Sequence, residues 1–196
     1  MTLQARNDTL ITIFGGAGFL GRHVVRALAK RHYQIRVAVR RPELDVHLQP
    51  LGRVGQIHTV QANLRHPGSV AAAVRDADVV VNLVGILYER GRQRFDAVQT
   101  AGAEAVALAA AQHGARLVHM SALGADEKAT SAYARSKAAG EKAVRAAVPD
   151  ATIYDHLGDI YATLEDVDKA RDAWRKSLAV ERNEQVQKKL EPPKTE

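Results

Sequence analysis

The chain has 196 residues, 46% hydrophobic and 26% charged, ordinary globular values that fit one domain plus an appendage or two small domains. It has no cysteine, which excludes a disulfide framework and a thiolate metal site, and no apolar run reaches the roughly 18–20 residues of a membrane span. The formal net charge of +6 is uneven: residues 1–150 carry 20 Lys+Arg against 12 Asp+Glu, residues 151–196 carry 8 against 10.

The arginines are scattered and aromatic content is 5%, so there is no stacking platform for nucleic acid, and none is expected as a partner. The opening "MTLQARNDTL" lacks the apolar core of a signal peptide, which leads to an expectation of a cytoplasmic protein. His113, His119 and His156 do not cluster with carboxylates at ligand spacing, so no metal site is expected.

In chain order, "TLITIF" (Thr9–Phe14) is a β-branched apolar run. It leads through "GGAGFLG" (Gly15–Gly21) into a segment with Val24, Val25 and Leu28 at helical spacing. Gly15, Gly18 and Gly21 form GxxGxxG between strand and helix. The first glycine permits the tight turn, the second lets backbone approach a pyrophosphate, and the third allows helix and strand to pack closely. The helix N-terminus offers free N–H groups to phosphate. Gly15, Gly18, Phe19, Leu20 and Gly21 are therefore the candidate pyrophosphate-binding positions.

The second strand, Tyr33–Arg41, ends in Arg40 and Arg41, where an acidic residue would favour NAD. A guanidinium suits a 2′-phosphate, so NADP(H) is favoured over NAD(H). The third strand, Gly55–Arg65, places Asn63 and Leu64 where they reach the adenine edge, and a helix is expected over Ser69–Ala77. "DVVVNLVG" (Asp78–Gly85) is nearly continuously apolar, as a central parallel strand should be. It ends with Asn82, Val84 and Gly85; the glycine allows close approach to a cofactor and Asn82 can pin neighbouring backbone. A long Ala-rich helix is expected over Phe95–Gly114, then a fifth strand, Ala115–Gly124, with Ser121 near its carboxyl end. The next helix, Ser131–Ala147, holds Tyr133 and Lys137 one turn apart on one face. An ammonium close to a phenol stabilises phenolate and makes tyrosine a usable acid or base.

These motifs together resemble the short-chain dehydrogenase/reductase superfamily in its extended or atypical branch. "ITIFGGAGFLGRHVV", "VVVNLVGIL", "LVHMSALGAD" and "YARSKAAGEKAVR" most resemble bacterial relatives of the nucleotide-binding accessory subunit of respiratory complex I. The resemblance covers about residues 9–153 and implies a Rossmann-type doubly wound parallel sheet of about five strands that binds NAD(P)(H). It implies Tyr133 as general acid/base, Lys137 as its partner and a holder of the nicotinamide ribose, and Ser121 as the group orienting the substrate oxygen. Extended members commonly carry two hydroxyl residues after the fifth strand, where this chain has Ser121–Ala122. They also continue past "ATI" (151–153) into a substrate-binding region that this sequence replaces with something else.

From Tyr154 the spacing Tyr154, Leu157–Gly158, Tyr161, Ala170, Trp174, Ser177 resembles one tetratricopeptide repeat over about 151–184. Asp150 is the expected N-cap of its first helix, Leu164–Asp168 the turn, and Asn183–Leu190 a third, capping helix. The domain expectation is thus a nucleotide-binding unit over 1–150, a helical hairpin over 151–190 and a tail over 191–196. Three functions remain open: an NAD(P)-dependent enzyme, a non-catalytic nucleotide-binding assembly protein whose hairpin takes a protein partner, and a composite of two unrelated chains.

Overall fold

The computed structural model describes residues 8–147, 159, 161–163, 166–180 and 182–190. The apolar runs form five parallel strands: β1 (Leu10–Phe14), β2 (Gln34–Val39), β3 (Ile57–Gln61), β4 (Val79–Asn82) and β5 (Arg116–His119). Their order in the sheet is β3-β2-β1-β4-β5. The helices α1 (Phe19–Ala29), α2 (Pro67–Val74) and α3 (Ala101–Gln112) fall between strands, and α4 (Ala132–Ala147) follows β5. Parallel neighbours require such crossovers, and helices on both faces bury the sheet on both sides.

Alternation along the strands divides the core in two. Ile11 and Ile13 of β1, Val37 of β2 and Val81 of β4 face one way and pack with Val25 and Ala29 of α1. Phe14 of β1 and Val80 of β4 face the other and pack with Val70 and Val74 of α2 and Val106 and Ala110 of α3. Ile13 stands opposite both Val37 and Val81 in register, at the centre of the sheet. Each such fully buried aliphatic side chain contributes about 1.5–3 kcal/mol. Gln56, only 6% exposed, donates to the carbonyls of Ala29 and Tyr33 at 2.9 Å each and so caps the α1 exit.

The elements differ from their sequence expectation at their ends, for local reasons. β3 stops at Gln61 because Asn63 turns the chain: its Oδ1 accepts the Arg65 N–H (3.1 Å), and its own N–H donates to Ser69 Oγ (3.0 Å). α2 begins at Pro67, since proline suits the first helical position, and has ended by Asp76, which takes φ 61°. The expected helix from Phe95 exists, but its first turn, Asp96–Thr100, is π-helical before α3 proper begins.

The chain divides into two compact units, Met1–Val148 and Pro149–Glu196. In the second, α5 (Val167–Val180) and α6 (Glu184–Leu190) enclose Ala170, Trp174 and Val186, flanked by Tyr161, Leu178 and Leu190. Asp159 accepts from the Trp174 indole N–H (3.2 Å) and from the Lys189 ammonium (2.7 Å). Asn183, expected inside the last helix, caps it instead: its Oδ1 accepts the Gln185 N–H at 2.9 Å. Ala170, Trp174 and Ser177 of the repeat-like spacing are all buried. Such burial is what any small helical core requires, and it does not define a tetratricopeptide repeat. Asp150, "ATI" at 151–153, Tyr154, Leu157, Gly158 and the tail at 191–196 lie outside the described residues. Among the described residues no helix is long and apolar enough to cross a membrane.

α1 leaves no room for a side chain where it crosses the β1 turn. A methyl at Gly21 would lie 2.1 Å from the Gly15 carbonyl oxygen and 2.6 Å from two Gly16 backbone atoms. Gly21→Ala should therefore destabilise the protein by about 3 kcal/mol or more. Gly68→Ala, whose methyl meets nothing within 4 Å, should stay within about 0.5 kcal/mol of wild type in urea unfolding. A Gly21→Ala variant as stable as Gly68→Ala would contradict this packing.

Candidate dinucleotide site

In an open parallel sheet, ligands bind beyond the carboxyl ends of the strands, where the strand order reverses. Here the reversal lies between β1 and β4. Gly15 leaves β1 at φ +79°, a conformation that costs glycine nothing, and its carbonyl accepts the Gly18 N–H at 3.0 Å. A methyl on Gly15 would lie 3.1 Å from the backbone of Leu83 and Val84, so the β1 turn and the β4 exit adjoin at the switch point. Gly18 N-caps α1 without a side-chain cap, and no acidic residue sits in the first turn. The N–H groups of Phe19, Leu20 and Gly21 are thus left for an anion, while the Phe19 and Leu20 side chains are exposed. Gly16, which the GxxGxxG spacing passes over, has a comparable packing role: a methyl there would lie 2.5 Å from Val37 Cγ1.

On the β2–β3 side, Arg40 and Arg41 are exposed, and their guanidinium groups make no hydrogen bond or ion pair among the described residues. The Asn63 carbonyl oxygen is committed to the turn described above, leaving its Nδ2 as the free polar group. Leu64 is 8% exposed and belongs to the α2–α3 core, so only its backbone is at the strand end. Past β4, Asn82 does pin the neighbouring backbone: its Oδ1 accepts the Val84 N–H at 3.1 Å. Gly85 follows, exposed, with the Gln99 side-chain Oε1 3.4 Å from where its Cβ would stand.

On the β5–α4 side, Lys137 is 4% exposed, and its ammonium donates to the Met120 carbonyl at 2.7 Å. Burial holds its pKa below the ordinary lysine value, opposed by the nearby Glu141 carboxylate. Tyr133 lies half-buried one turn earlier, edge-on to Phe95 with ring centroids 6.1 Å apart. Its phenol oxygen makes no hydrogen bond among the described residues. Ser121 Oγ is buried without a partner.

His119 is a site residue that sequence reading treated as ordinary; the available signal was its place two residues before Ser121 on one side of the strand end. Because Asn82 Oδ1 is taken by Val84, Asn82 Nδ2 must be the donor to His119 Nδ1, at 3.2 Å. That fixes the neutral tautomer with its proton on Nε2, which is buried and unpartnered. Burial, and then the Lys137 ammonium, push the His119 pKa down to about 4, with Glu141 opposing. Gln99 and Ser136 are the other omissions: both are buried and hydrogen-bonded to each other at 2.8 Å. Polar residues within helical runs gave no signal of that pairing.

The residues present fit a nicotinamide dinucleotide. The glycine cradle, the uncapped helix start and the orphaned Ser121 hydroxyl all follow the carboxyl ends of parallel strands, where a diphosphate and a polar ring system would satisfy them. The class of protein is thus a Rossmann dinucleotide-binding protein of extended short-chain dehydrogenase/reductase type. A match over residues 15–155 shows that the chain belongs to the NAD(P)H-binding family. It is similar to the ceramide reductase of Caulobacter vibrioides (strain NA1000 / CB15N), 42% identical over 153 residues, 78% of this chain and 46% of that protein. It is also similar to NADH dehydrogenase (ubiquinone) 1 alpha subcomplex subunit 9, mitochondrial, of Arabidopsis thaliana, 40% identical over 145 residues, 72% of this chain and 36% of that one. The chain thus spans less than half the length of these relatives. Among solved structures, uronate dehydrogenase from Agrobacterium tumefaciens superposes with a TM-score of 0.57 at 28% identity, covering 70% of this chain and 55% of that one.

A histidine held neutral in the folded chain makes folding oppose protonation. The unfolded chain takes up the proton near the ordinary value of 6.5 and the folded chain only near about 4, so stability is lost as pH falls through that window. At pH 4.5 the wild type should have lost about 2–3 kcal/mol more, relative to pH 7, than His119→Gln in urea unfolding. Parallel pH profiles for the two proteins would rule out a neutral, buried His119.

Proposed function

We propose that the protein binds NADP(H) in preference to NAD(H) and transfers hydride at a carbonyl or hydroxyl carbon. The observation that carries the catalytic half is Lys137: a buried ammonium one turn after Tyr133, tied to the Met120 carbonyl beside the unpartnered Ser121 hydroxyl. Burying an ammonium costs several kcal/mol unless hydrogen bonds or an opposite charge offset it. An anionic phenol or a ribose hydroxyl beside it would do so.

When bound, the dinucleotide supplies a nicotinamide ring that gives or takes the hydride. Gly15, Gly18 and the N–H groups of Phe19, Leu20 and Gly21 would hold the diphosphate, Asn63 Nδ2 would serve the adenine, and the Val84–Gly85 backbone would serve the nicotinamide half. Ser121 Oγ orients the substrate oxygen. Tyr133 gives that oxygen a proton in reduction and removes it in oxidation, and Lys137 supports the phenolate. Arg40 and Arg41, unpaired at the end of β2, supply the donors that a 2′-phosphate requires.

A second reading is favoured by the same lysine. Its ammonium bonds the Met120 carbonyl and not the Tyr133 phenol, so the pair is not coupled here, and a nucleotide-binding assembly protein would not need it to be. The similarity to a complex I subunit accords with that, and the α5–α6 unit would then take the protein partner.

Fluorescence titration should show NADPH binding more tightly than NADH, and Arg40→Asp should reduce that preference by about tenfold or more. Equal affinities in the wild type would remove the NADP(H) assignment. Across a panel of aldehydes and ketones, Tyr133→Phe should lower NADPH-dependent turnover by at least about a hundredfold with little change in cofactor affinity. Indistinguishable background rates for the two proteins would leave the assembly reading in its place.

A further inference from the structure

Gln99 sits in the π-helical turn that opens the α3 helix, and it is 2% exposed. A fully buried amide needs both ends satisfied, and this one is. Its Oε1 accepts the Ile86 N–H at 3.3 Å, one residue past Gly85 in the β4 exit. Its Nε2 donates to Ser136 Oγ at 2.8 Å, and Ser136 Oγ donates to the Tyr133 carbonyl at 2.7 Å. The orientation is not free: turning the amide over would set its NH₂ against the Ile86 N–H. Every member donates in one direction along a chain from Ile86 through Gln99 and Ser136 to Tyr133, an arrangement in which each bond polarises the next.

Packing holds the chain in place. A methyl at Gly140 would lie 2.2 Å from the Gln99 backbone carbonyl, so α4 rests directly on the π-helical turn. Thr100 Oγ1 reaches the Ser136 carbonyl at 3.4 Å. The wider turn is what brings position 99 against both the β4 exit and α4, and such turns recur at functional sites.

We propose that Gln99 and Ser136 are positioning residues that couple occupancy of the dinucleotide site to the placement of Tyr133. A dinucleotide against the Val84–Gly85 backbone orders Ile86. Gln99 passes that order to Ser136, and Ser136 fixes the first turn of α4 that carries the phenol. The proposal rests on the dinucleotide reading above and adds to it a link between binding and the Tyr133–Lys137 pair.

Hydrogen–deuterium exchange of the intact chain, with and without NADPH, tests it. In the wild type NADPH slows exchange at Gly85–Ile86 and, by at least about fivefold, at the Tyr133–Lys137 amides. In Ser136→Ala the slowing at Gly85–Ile86 persists, whereas that at Tyr133–Lys137 falls below about twofold. Ser136→Thr, which keeps the hydroxyl, restores it, and Gln99→Asn, too short to span both partners, behaves like Ser136→Ala. Equal protection of Tyr133–Lys137 in wild type and both disrupting variants overturns the coupling while leaving dinucleotide binding intact. No NADPH-dependent protection anywhere in the wild type overturns the dinucleotide reading and the coupling together.

Discussion

The contact of α1 with the Gly15–Gly16 turn constrains everything around the site. With no side chain at Gly21, the helix starts directly on the carbonyl that closes the turn. That proximity aims the free N–H groups of its first turn across the carboxyl end of β1. It also draws Val25 onto Ile13 and Val37, so the same approach builds one half of the core and sets the free N–H groups at the strand end. Gly15 adds the complementary contact, seating the turn against Leu83 and Val84 at the β4 exit. A chain forced to separate α1 from the turn would lose the cradle and the sheet packing together.

The opposite side of the crevice is organised by buried polar groups. Asn82 joins the ends of β4 and β5 by holding Val84 with one atom and His119 with another. His119 stays neutral beneath Lys137, so the site carries one buried positive charge there and not two. Lys137 in turn fixes the Met120 carbonyl between His119 and Ser121. Gln99 and Ser136 tie the β4 exit to α4 from below. Each of these bonds satisfies a group whose burial alone would cost about 1–3 kcal/mol. The second unit contains its own small core around Trp174, braced by the Asp159–Lys189 pair.

The sheet, its parallel sense and the glycine turn before α1 were legible in the sequence because they depend on gross features: apolar runs, glycine spacing and alternation with helical periods. β4 reads as a central strand since Val80, Val81 and Asn82 are all buried. Element ends were less legible, because Asn63, Pro67 and Asp76 act through backbone geometry that no hydrophobic pattern reports. The π-helical turn at Asp96–Thr100 was invisible, since one residue of extra width leaves too little periodicity to detect within a single turn. Gln99 lies within it, and the neutrality of His119 arises from partners distant in sequence. Leu64 had the right position for a ligand contact, but its side chain turns into the core beside Gly102.

The central claim is that one crevice, at the reversal between β1 and β4, takes a nicotinamide dinucleotide with its diphosphate on α1 and its ring toward β5. A ¹⁵N–¹H correlation titration with NADPH tests this most directly, because it reports on named amides. Saturable shifts at Gly18, Phe19 and Leu20, at Gly85, and at Ser121 are predicted together, with a single affinity. Shifts confined to α2, to the second unit or to scattered surface amides would contradict the account.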